Sequence, residues 1–161
     1  MSSVVESSPV IPFPSVEWFK QLAKLMNTNR ARQEQLGYVD CVATFSVGDD
    51  SNGATPRHFQ VTFEEFEAIG VKEVSSEEVA SADFALVAST ETWSEMIRSI
   101  AEGGGQPDLD HSLNRLSHMG TPMKLNAPDP LKADLYFRYN QSLQEFFDAS
   151  ASFTTVFPEA I

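Results

Sequence analysis

Residues 82–93 read ADFALVASTETW, and this stretch decides the fold class. Phe84 to Ala88 form a short, continuous apolar run, which is typical of a strand covered on both faces. Ser89 or Thr90 can cap a helix directly after it, because a side-chain oxygen there accepts a hydrogen bond from a free backbone N–H. Trp93 then begins the apolar face of that helix. The stretch predicts a buried strand followed at once by an amphipathic helix.

The chain before this stretch has the alternation of an antiparallel sheet. Residues 39–47 and 58–63 place apolar side chains at every second position, and turn-forming residues 48–53 separate the two runs. This arrangement predicts a hairpin. Residues 71–74 are a weaker third strand. The run at residues 84–88 then supplies a fourth strand, in the interior of the sheet.

A helix and an arm precede the predicted sheet. Ser15 is predicted to cap one amphipathic helix that continues until Gly37 stops it. Residues 1–14 contain three prolines, which block regular pairing, so they predict an extended arm that is mobile at its tip. We expect residues 1–12 to contribute little to stability. Residues 15–161 are then predicted to form a single domain.

The chain after residue 93 is mainly helical. Gly103 is predicted to end the first of these helices, and Asp108 to cap a short one that carries Leu109, Leu113 and Leu116. Residues 121–125 predict a last strand. A final helix is predicted to begin at Asp129-Pro130, because Asp is a good cap and Pro fits the first helical position. The order of elements predicts an α+β domain with a mostly antiparallel sheet.

The charge of the chain excludes several classes of partner. There are 11 Lys and Arg residues against 23 Asp and Glu residues, which gives a net charge of −12. Nucleic-acid binding needs clustered basic residues, so no nucleic-acid partner is predicted. No apolar run is long enough to span a bilayer, so stable membrane insertion is not predicted either. We expect a soluble, cytoplasmic protein that is a monomer or a weak homodimer.

No residue pattern predicts catalytic or metal chemistry. Asp108, Asp110, His111 and His118 form the cluster with metal-ligand chemistry, but helix capping and solvation explain the acids equally well. Cys41 lies mid-strand among apolar residues, where a thiol usually behaves as a small buried hydrophobe. We therefore predict no catalytic residue, no metal site and no cofactor.

The second half of the chain is rich in large apolar side chains. Methionine and phenylalanine suit an adaptable apolar cavity, although the same composition also describes a plain filled core, and composition does not separate the two. The candidate ligand-binding residues are Trp93, Met96, Ile100, Leu113, Leu116, Met119, Met123, Leu125, Phe137, Tyr139, Phe146 and Phe147.

Three segments of the sequence carry a resemblance to a known family. They are Ala82-Asp83-Phe84, then Ser89-Thr90-Glu91-Thr92-Trp93, and after a spacer Gly120-Thr121-Pro122-Met123-Lys124-Leu125-Asn126. In order and spacing the chain resembles the sterol carrier protein type 2 superfamily from about Gly37 to Phe153. The family often has Gly at the position of Asn126, so the turn there departs from its pattern.

The resemblance implies a five-stranded sheet packed against helices, with an apolar tunnel between them. It also implies binding or transport of sterols, fatty acids, acyl chains and related lipids, without catalytic residues. The peroxisomal ending of some members is absent from the sequence.

Three hypotheses about function follow. The first is a carrier that binds a hydrophobic small molecule in an apolar cavity, with no covalent chemistry. The second is a small enzyme acting on a lipid, steroid or terpenoid-like substrate in the same cavity, with His111, His118, Tyr136 or Tyr139 as proton donor or acceptor. The third is a protein-interaction module without a pocket, in which the last, aromatic helix docks a partner.

Overall fold

A computed structural model describes residues 9–48, 55–118 and 122–157 of the chain. Its seven strands are β1 Val10–Pro12, β2 Cys41–Val47, β3 Arg57–Glu64, β4 Glu67–Val74, β5 Phe84–Ala88, β6 Lys124–Asn126 and β7 Thr154–Val156. Its five α-helices are α1 Val16–Thr28, α2 Arg30–Leu36, α3 Thr90–Glu102, α4 Leu113–Ser117 and α5 Ala133–Asp148.

Five of the strands form one sheet in the order β4-β3-β2-β5-β6. The pairs β2–β3, β3–β4 and β5–β6 are antiparallel, whereas β2 and β5 are parallel. The predicted α+β class, with a five-stranded and mostly antiparallel sheet, is confirmed. Strand β5 lies inside the sheet, as its continuous apolar run indicates, because β2 and β6 pair with its two edges.

Successive side chains of the β2–β3 hairpin point alternately to the two faces of this sheet. Phe45 pairs opposite Phe59, and both rings face the helices, where Phe19 of α1 stacks on them. Ser46 pairs opposite His58 on the other face, where their side chains form a hydrogen bond. Most of the predicted connecting turn, residues 49–54, lies outside the described residues. Strand β4 begins at Glu67, four residues earlier than the alternation predicts.

The prediction of a single helix from Ser15 to Gly37 is wrong, because this segment forms two helices. Ser15 caps α1 by accepting a hydrogen bond from the Trp18 N–H, and α1 ends at Asn29, whose φ of −114° and ψ of 56° are not helical. Asn and Thr residues at positions 27–29 favour caps and turns over helix interiors, which explains the break. The side chain of Asn27 is also needed elsewhere, since its amide makes two hydrogen bonds to the backbone of Ala68 in β4.

The prediction that Asp108 caps the short helix is also wrong, because Asp108 lies one turn before the observed start of that helix. Ser112, not Asp108, caps α4 by accepting a hydrogen bond from the Arg115 N–H. Leu109 lies outside that helix and is 91% exposed. Asp108 instead accepts hydrogen bonds from the Asp110 N–H and from His111, which form a surface turn.

The other predicted helix ends are correct. Ser89 caps α3 through the Thr92 N–H, and Gly103 follows its last residue. Asp129 caps a short 3-10 turn, Pro130–Lys132, which leads directly into α5.

A second, two-stranded sheet joins the ends of the described chain. Strands β1 and β7 pair in parallel, with Val10 opposite Thr154 and Pro12 opposite Val156. The predicted arm is therefore docked over residues 10–12, and Phe13 beyond them is buried. The arm's predicted mobile tip, residues 1–8, lies outside the described residues. Sequence reasoning missed this pairing because it joins segments about 140 residues apart, and no local periodicity records such a contact.

Candidate functional site

The predicted ligand-binding residues lie mainly in one apolar layer between the helices and the sheet. Eight of them are at most 6% exposed, and they belong to the same cluster: Trp93, Met96, Ile100, Leu113, Leu116, Met123, Phe146 and Phe147. Leu125 and Tyr139 are half-buried and pack against that cluster. Phe137 points outward and is 62% exposed, and Met119 lies outside the described residues.

One end of this layer is almost entirely aromatic. The ring of Phe147 lies at its centre, with centroids of neighbouring rings between 5.0 and 6.1 Å away. Most of these pairs are edge-to-face or tilted, which is the favourable geometry for aromatic packing. We call this cluster the aromatic end; it consists of Trp18, Phe19, Phe45, Trp93, Phe146 and Phe147.

The indoles of the aromatic end are also hydrogen-bonded. Trp93 Nε1 donates to the backbone oxygen of Ser46 at 2.9 Å, which joins α3 to β2. Trp18 Nε1 donates to Thr155 Oγ1 at 3.0 Å, which joins α1 to β7. Both side chains are fully buried, so each hydrogen bond satisfies a donor that has no water available. The aromatic end is therefore fixed by packing and by directional bonds.

The opposite end of the layer is aliphatic and polar. It lies where α4 and β6 meet the first turns of α5, and we call it the aliphatic end; it consists of Leu113, Leu116, Met123 and Tyr136. The Met123 N–H donates to the backbone oxygen of Leu116 at 3.1 Å, which joins α4 to the segment before β6. The ring of Tyr136 lies 5.9 Å from that of Phe84 in β5.

A small polar cluster closes the aliphatic end. The hydroxyls of Tyr136 and Ser117 are 2.7 Å apart, and both lie within hydrogen-bonding distance of the backbone oxygen of Leu113, at 3.1 and 2.7 Å respectively. Each hydroxyl has one proton, so the pair donates two hydrogen bonds among these three contacts. Burial raises the pKa of Tyr136, while Ser117 and Asn140 oppose that rise. Tyr136 is thus a neutral hydrogen-bonding group near neutral pH and a poor base. Its visible role is to fasten α4 to α5.

A second hydrogen-bonded chain connects the two ends along α5. Gln144 Oε1 accepts from the Leu113 N–H at 2.7 Å, and Gln144 Nε2 donates to Asp148 Oδ1 at 2.9 Å. Burial raises the pKa of Asp148 to about 6; the hydrogen bond from Gln144 opposes this, and the nearby charge of Glu145 adds to it. The start of α4 is therefore held by the Gln144 amide, which in turn donates to a carboxyl group with a raised pKa.

The groups considered for catalysis are dispersed. His111 lies at the surface, with its Nδ1 2.7 Å from Asp108 Oδ1 and its Nε2 3.8 Å from Glu95 Oε2. Among residues 9–48, 55–118 and 122–157, no three potential metal-ligating side chains come close enough to hold an ion. Burial raises the pKa of Cys41 to about 12, with smaller contributions from Asp83 and Asp40, so the thiolate nucleophile is strongly disfavoured.

One close polar pair escaped the sequence analysis. Ser46 Oγ lies 2.6 Å from His58 Nδ1 across β2 and β3, on the outer face of the sheet. Burial lowers the pKa of His58, so the imidazole is neutral near neutral pH. The alternation of β2 and β3 could have revealed the pairing. However, Ser46 is 1% exposed, so a substrate could not reach its hydroxyl, and the pair has a structural role.

The outer face of the sheet also carries an open groove of about 450 Å³. Its floor is Ala85 of β5, and its walls come from the segments before β5 and after β6. The lining residues are Ser76, Val79, Ala80, Ala85, Asn126, Ala127 and Pro128. This groove lies across the sheet from the apolar layer, and none of the predicted ligand-binding residues lines it. No helix within the described ranges is both long and apolar enough to cross a membrane.

Solved structures of other proteins are similar to this fold. No family model matches the chain, and no curated protein matches its sequence. Solved structures that are similar to this chain include two with a TM-score of 0.60 each. One is the solution structure of a conserved hypothetical protein, possibly a sterol carrier protein, from Thermus thermophilus. Its sequence is 19% identical to this chain, and the alignment covers 91% of this chain and 95% of that protein's chain. The other is a crystal structure of sterol carrier protein 2, 18% identical, covering 86% of this chain and 96% of its own.

The chain therefore has the sterol carrier protein fold, as the resemblance in its sequence predicts.

Proposed function

We propose that this protein binds and carries a hydrophobic small molecule, such as a sterol, fatty acid, acyl chain or related lipid, without covalent chemistry. The ligand would lie between the helices and the sheet. The observation that carries the proposal is the continuous apolar layer in a fold shared with a sterol carrier protein. The layer runs along α5 from Tyr136 to Phe147, which is eleven residues or about 16 Å.

The aliphatic end is the proposed entrance to this site. Helix α4 has only five residues, and its burial depends on Leu113 and Leu116. A helix this short has little stability of its own, so its position depends on the hydrogen bonds of Leu113, Ser117 and Tyr136. Leucine and methionine side chains adapt to a guest more readily than interlocked aromatic rings. A ligand could therefore enter by displacing α4 while the aromatic end stays intact.

The proposed ligand-binding residues follow from this location. They are the aliphatic-end residues Leu113, Leu116 and Met123, with Met96, Ile100, Leu125 and Tyr139 extending the apolar surface, and Trp93, Phe146 and Phe147 as the fixed far wall. Phe137 is left out because it points outward. Met119 stays a sequence-based prediction.

The expected affinity is moderate. Burying about twelve methylenes gains roughly 10 kcal/mol, at about 0.8 kcal/mol each. Association costs at least about 4 kcal/mol, and displacing α4 costs more, which leaves a dissociation constant of about tens of micromolar at best.

The enzyme hypothesis is not favoured by the arrangement of these groups. Tyr136 and Ser117 are within 3 Å of each other, which meets the distance expected of a proton-transferring pair. Their two protons are already used in hydrogen bonds within this pair and to the Leu113 oxygen, however, and burial raises the pKa of Tyr136 instead of lowering it. His111 lies at the surface beside two carboxylates, away from the apolar layer. Binding without chemistry is the simpler proposal.

A fluorescent fatty acid titrated into the purified protein tests the proposal. We expect saturable binding by the wild type and a weaker signal from Leu116→Trp. Leu116 is only 6% exposed, so an indole at this position would fill the proposed entrance. Leu25→Trp is the matched control, since Leu25 on α1 is also packed against the core but lies on a different helix. It should bind like the wild type.

Circular dichroism confirms that each variant is folded, and native mass spectrometry shows any lipid that co-purifies. The proposal fails if the wild type binds no probe at tens of micromolar and carries no lipid, or if both tryptophan variants bind as well as the wild type.

A further inference from the structure

An exposed aromatic surface lies at the end of the sheet where β3 turns into β4. It faces solvent beside the segment that connects α2 to β2. We call it the Tyr38 pole; it consists of Arg30, Glu34, Tyr38, Asp40, Glu64, Glu65, Phe66, Glu67 and Ile69. Tyr38 is 61% exposed and Ile69 is 54% exposed, whereas most other large apolar side chains of the protein are buried.

The rings of this surface form a short stack with one open side. Tyr38 is stacked on Phe66 with centroids 4.9 Å apart and planes 18° from parallel. The Arg30 guanidinium lies 4.6 Å from the centroid of the Phe66 ring. Phe66 therefore contacts both the Tyr38 ring and the Arg30 guanidinium. With Phe66 stacked on one face, the 61% exposure of Tyr38 leaves its other face to solvent.

The backbone holds this stack in place. The Val39 N–H donates to the Glu65 oxygen at 2.8 Å, and the Glu65 N–H donates to Asp40 Oδ1 at 3.1 Å. These bonds fasten the connection after α2 to the β3–β4 turn. Arg30 is also held from two sides, by Glu34 at 3.0 Å and Glu67 at 3.9 Å. Tyr38 is thus presented on a fixed support.

The charge around the open ring is strongly negative. The pole contains five carboxylates, from Glu34, Asp40, Glu64, Glu65 and Glu67, and one cation, Arg30, so its net charge is 1 − 5 = −4. Arg30 is paired with two glutamates, and Asp40, Glu64 and Glu65 are further exposed carboxylates of the pole that form no salt bridge within the described residues. The negative face of an aromatic ring and nearby carboxylates both favour a cation.

We propose that the Tyr38 pole binds an arginine-containing segment of a partner protein. The partner's guanidinium would stack on the face of Tyr38 that is opposite Phe66 and open to solvent. Asp40 and Glu65 would accept its hydrogen bonds. Arginine fits better than lysine because its planar, weakly hydrated group stacks on rings and pairs with carboxylates at the same time. An anionic lipid surface is disfavoured, because the net charge of the pole would repel it.

Nuclear magnetic resonance with a defined probe tests this proposal. The probe is a blocked glycine-rich peptide that contains two arginines and two leucines, and its reference is the same peptide with citrulline, which is neutral and of similar shape. Titration into the full-length, nitrogen-labelled protein should shift the amide resonances of Tyr38 and Glu65. The citrulline peptide should shift them much less.

Two matched variants make the result specific. Tyr38→Leu keeps an apolar side chain but removes the ring face, and it should weaken arginine-peptide binding about threefold to fivefold. Phe137→Leu is the control, because Phe137 has nearly the same exposure, 62% against 61%, but lies on α5. It should bind the peptide like the wild type.

Several outcomes would overturn the proposal. The first is that the citrulline peptide shifts the resonances as much as the arginine peptide does, and the second is that Tyr38→Leu and Phe137→Leu weaken binding equally. The third is that the shifted resonances spread over the acidic surface instead of the Tyr38 pole. The fourth is that no binding is seen at millimolar peptide. The proposal would also be overturned if the wild type sedimented with phosphatidylcholine vesicles and Tyr38→Leu did not, since the pole would then bind a membrane.

Discussion

The two ends of the apolar layer have different ways of holding their residues in place. At the aromatic end, Phe147 touches rings from α1, β2 and α3, and two indoles donate hydrogen bonds to β2 and β7. At the aliphatic end, a five-residue helix is held by a few side-chain hydrogen bonds, over leucine and methionine. We expect the first arrangement to resist opening, and we propose that the contacts of the second are exchanged for contacts with a guest. Stability and the proposed ligand binding would then depend on opposite ends of the layer.

The largest expected difference between the ends is in stability. Phe147→Ala should lower the free energy of unfolding by about 3–5 kcal/mol, because it leaves a cavity among five fixed rings. Leu116→Ala should cost about 2 kcal/mol, since the residue lies at the rim of the layer, where α4 can relax into the space. Urea unfolding of the ligand-free proteins at neutral pH measures both values. Equal costs would show that the two ends are equally rigid, and the comparison would then be wrong.

The two-stranded sheet of β1 and β7 should add a smaller amount to the aromatic end. Removing residues 1–12 takes away the pairing with residues 154–156 and the hydrogen bond from Ser15 to the Pro12 oxygen, so we expect a loss of about 2 kcal/mol. Removing residues 1–8 alone is the matched control. If thermal unfolding shows the same small change for both truncations, the sequence-based expectation of a dispensable arm holds and the docked sheet contributes nothing.

The smallest expected effect concerns Asp148, which links the two ends through Gln144. Its pKa of about 6 lies above the ordinary value, so the folded protein keeps a proton at pH values where the unfolded chain has lost it. Stability from this group is therefore present at low pH and is lost as the pH rises toward 6 and above. Asp148→Asn should stabilise the protein by about 1 kcal/mol at pH 7.5, a value reduced for partial solvent screening, and by almost nothing near pH 4.

Asp110→Asn, at an exposed position, is the control for that experiment. A stability difference for Asp148→Asn that does not change between pH 4 and pH 7.5 would show that folding does not raise the pKa of Asp148.

The sequence predicts those parts of this fold that depend on neighbouring residues. The β2–β3 hairpin, the buried β5, the Ser89 cap and the start of the last helix at Asp129 all follow from short patterns, and all are present. The break at Asn29 was missed because the apolar stripe of α1 and the basic residues of α2 look like one helix. The Ser112 cap was missed because Asp108 has equally good capping chemistry three residues after a glycine run.

The candidate site was predicted less completely than the fold. The apolar residues of the second half were identified, but their division into two ends depends on α1, β2 and β7, which contribute Trp18, Phe45 and Thr155 from distant parts of the chain. Phe137 was included because it lies next to Tyr136 in a helix rich in aromatic residues. A helix turns by about 100° per residue, so a neighbour in sequence can face solvent, as Phe137 does.

The central claim is that a ligand enters the aliphatic end and leaves the aromatic end unchanged. The Met123 methyl resonance and the Trp18 indole N–H resonance test it directly, because Met123 lies at the aliphatic end and the Trp18 indole is hydrogen-bonded to Thr155 at the aromatic end. Titration with a medium-length fatty acid, with the resonances assigned by Met123→Leu and Trp18→Phe variants, should shift the Met123 methyl in a saturable manner and leave the Trp18 indole resonance in place. If the Trp18 resonance shifts and that of Met123 does not, or if neither shifts while the fatty acid binds, the account of where the ligand enters is contradicted.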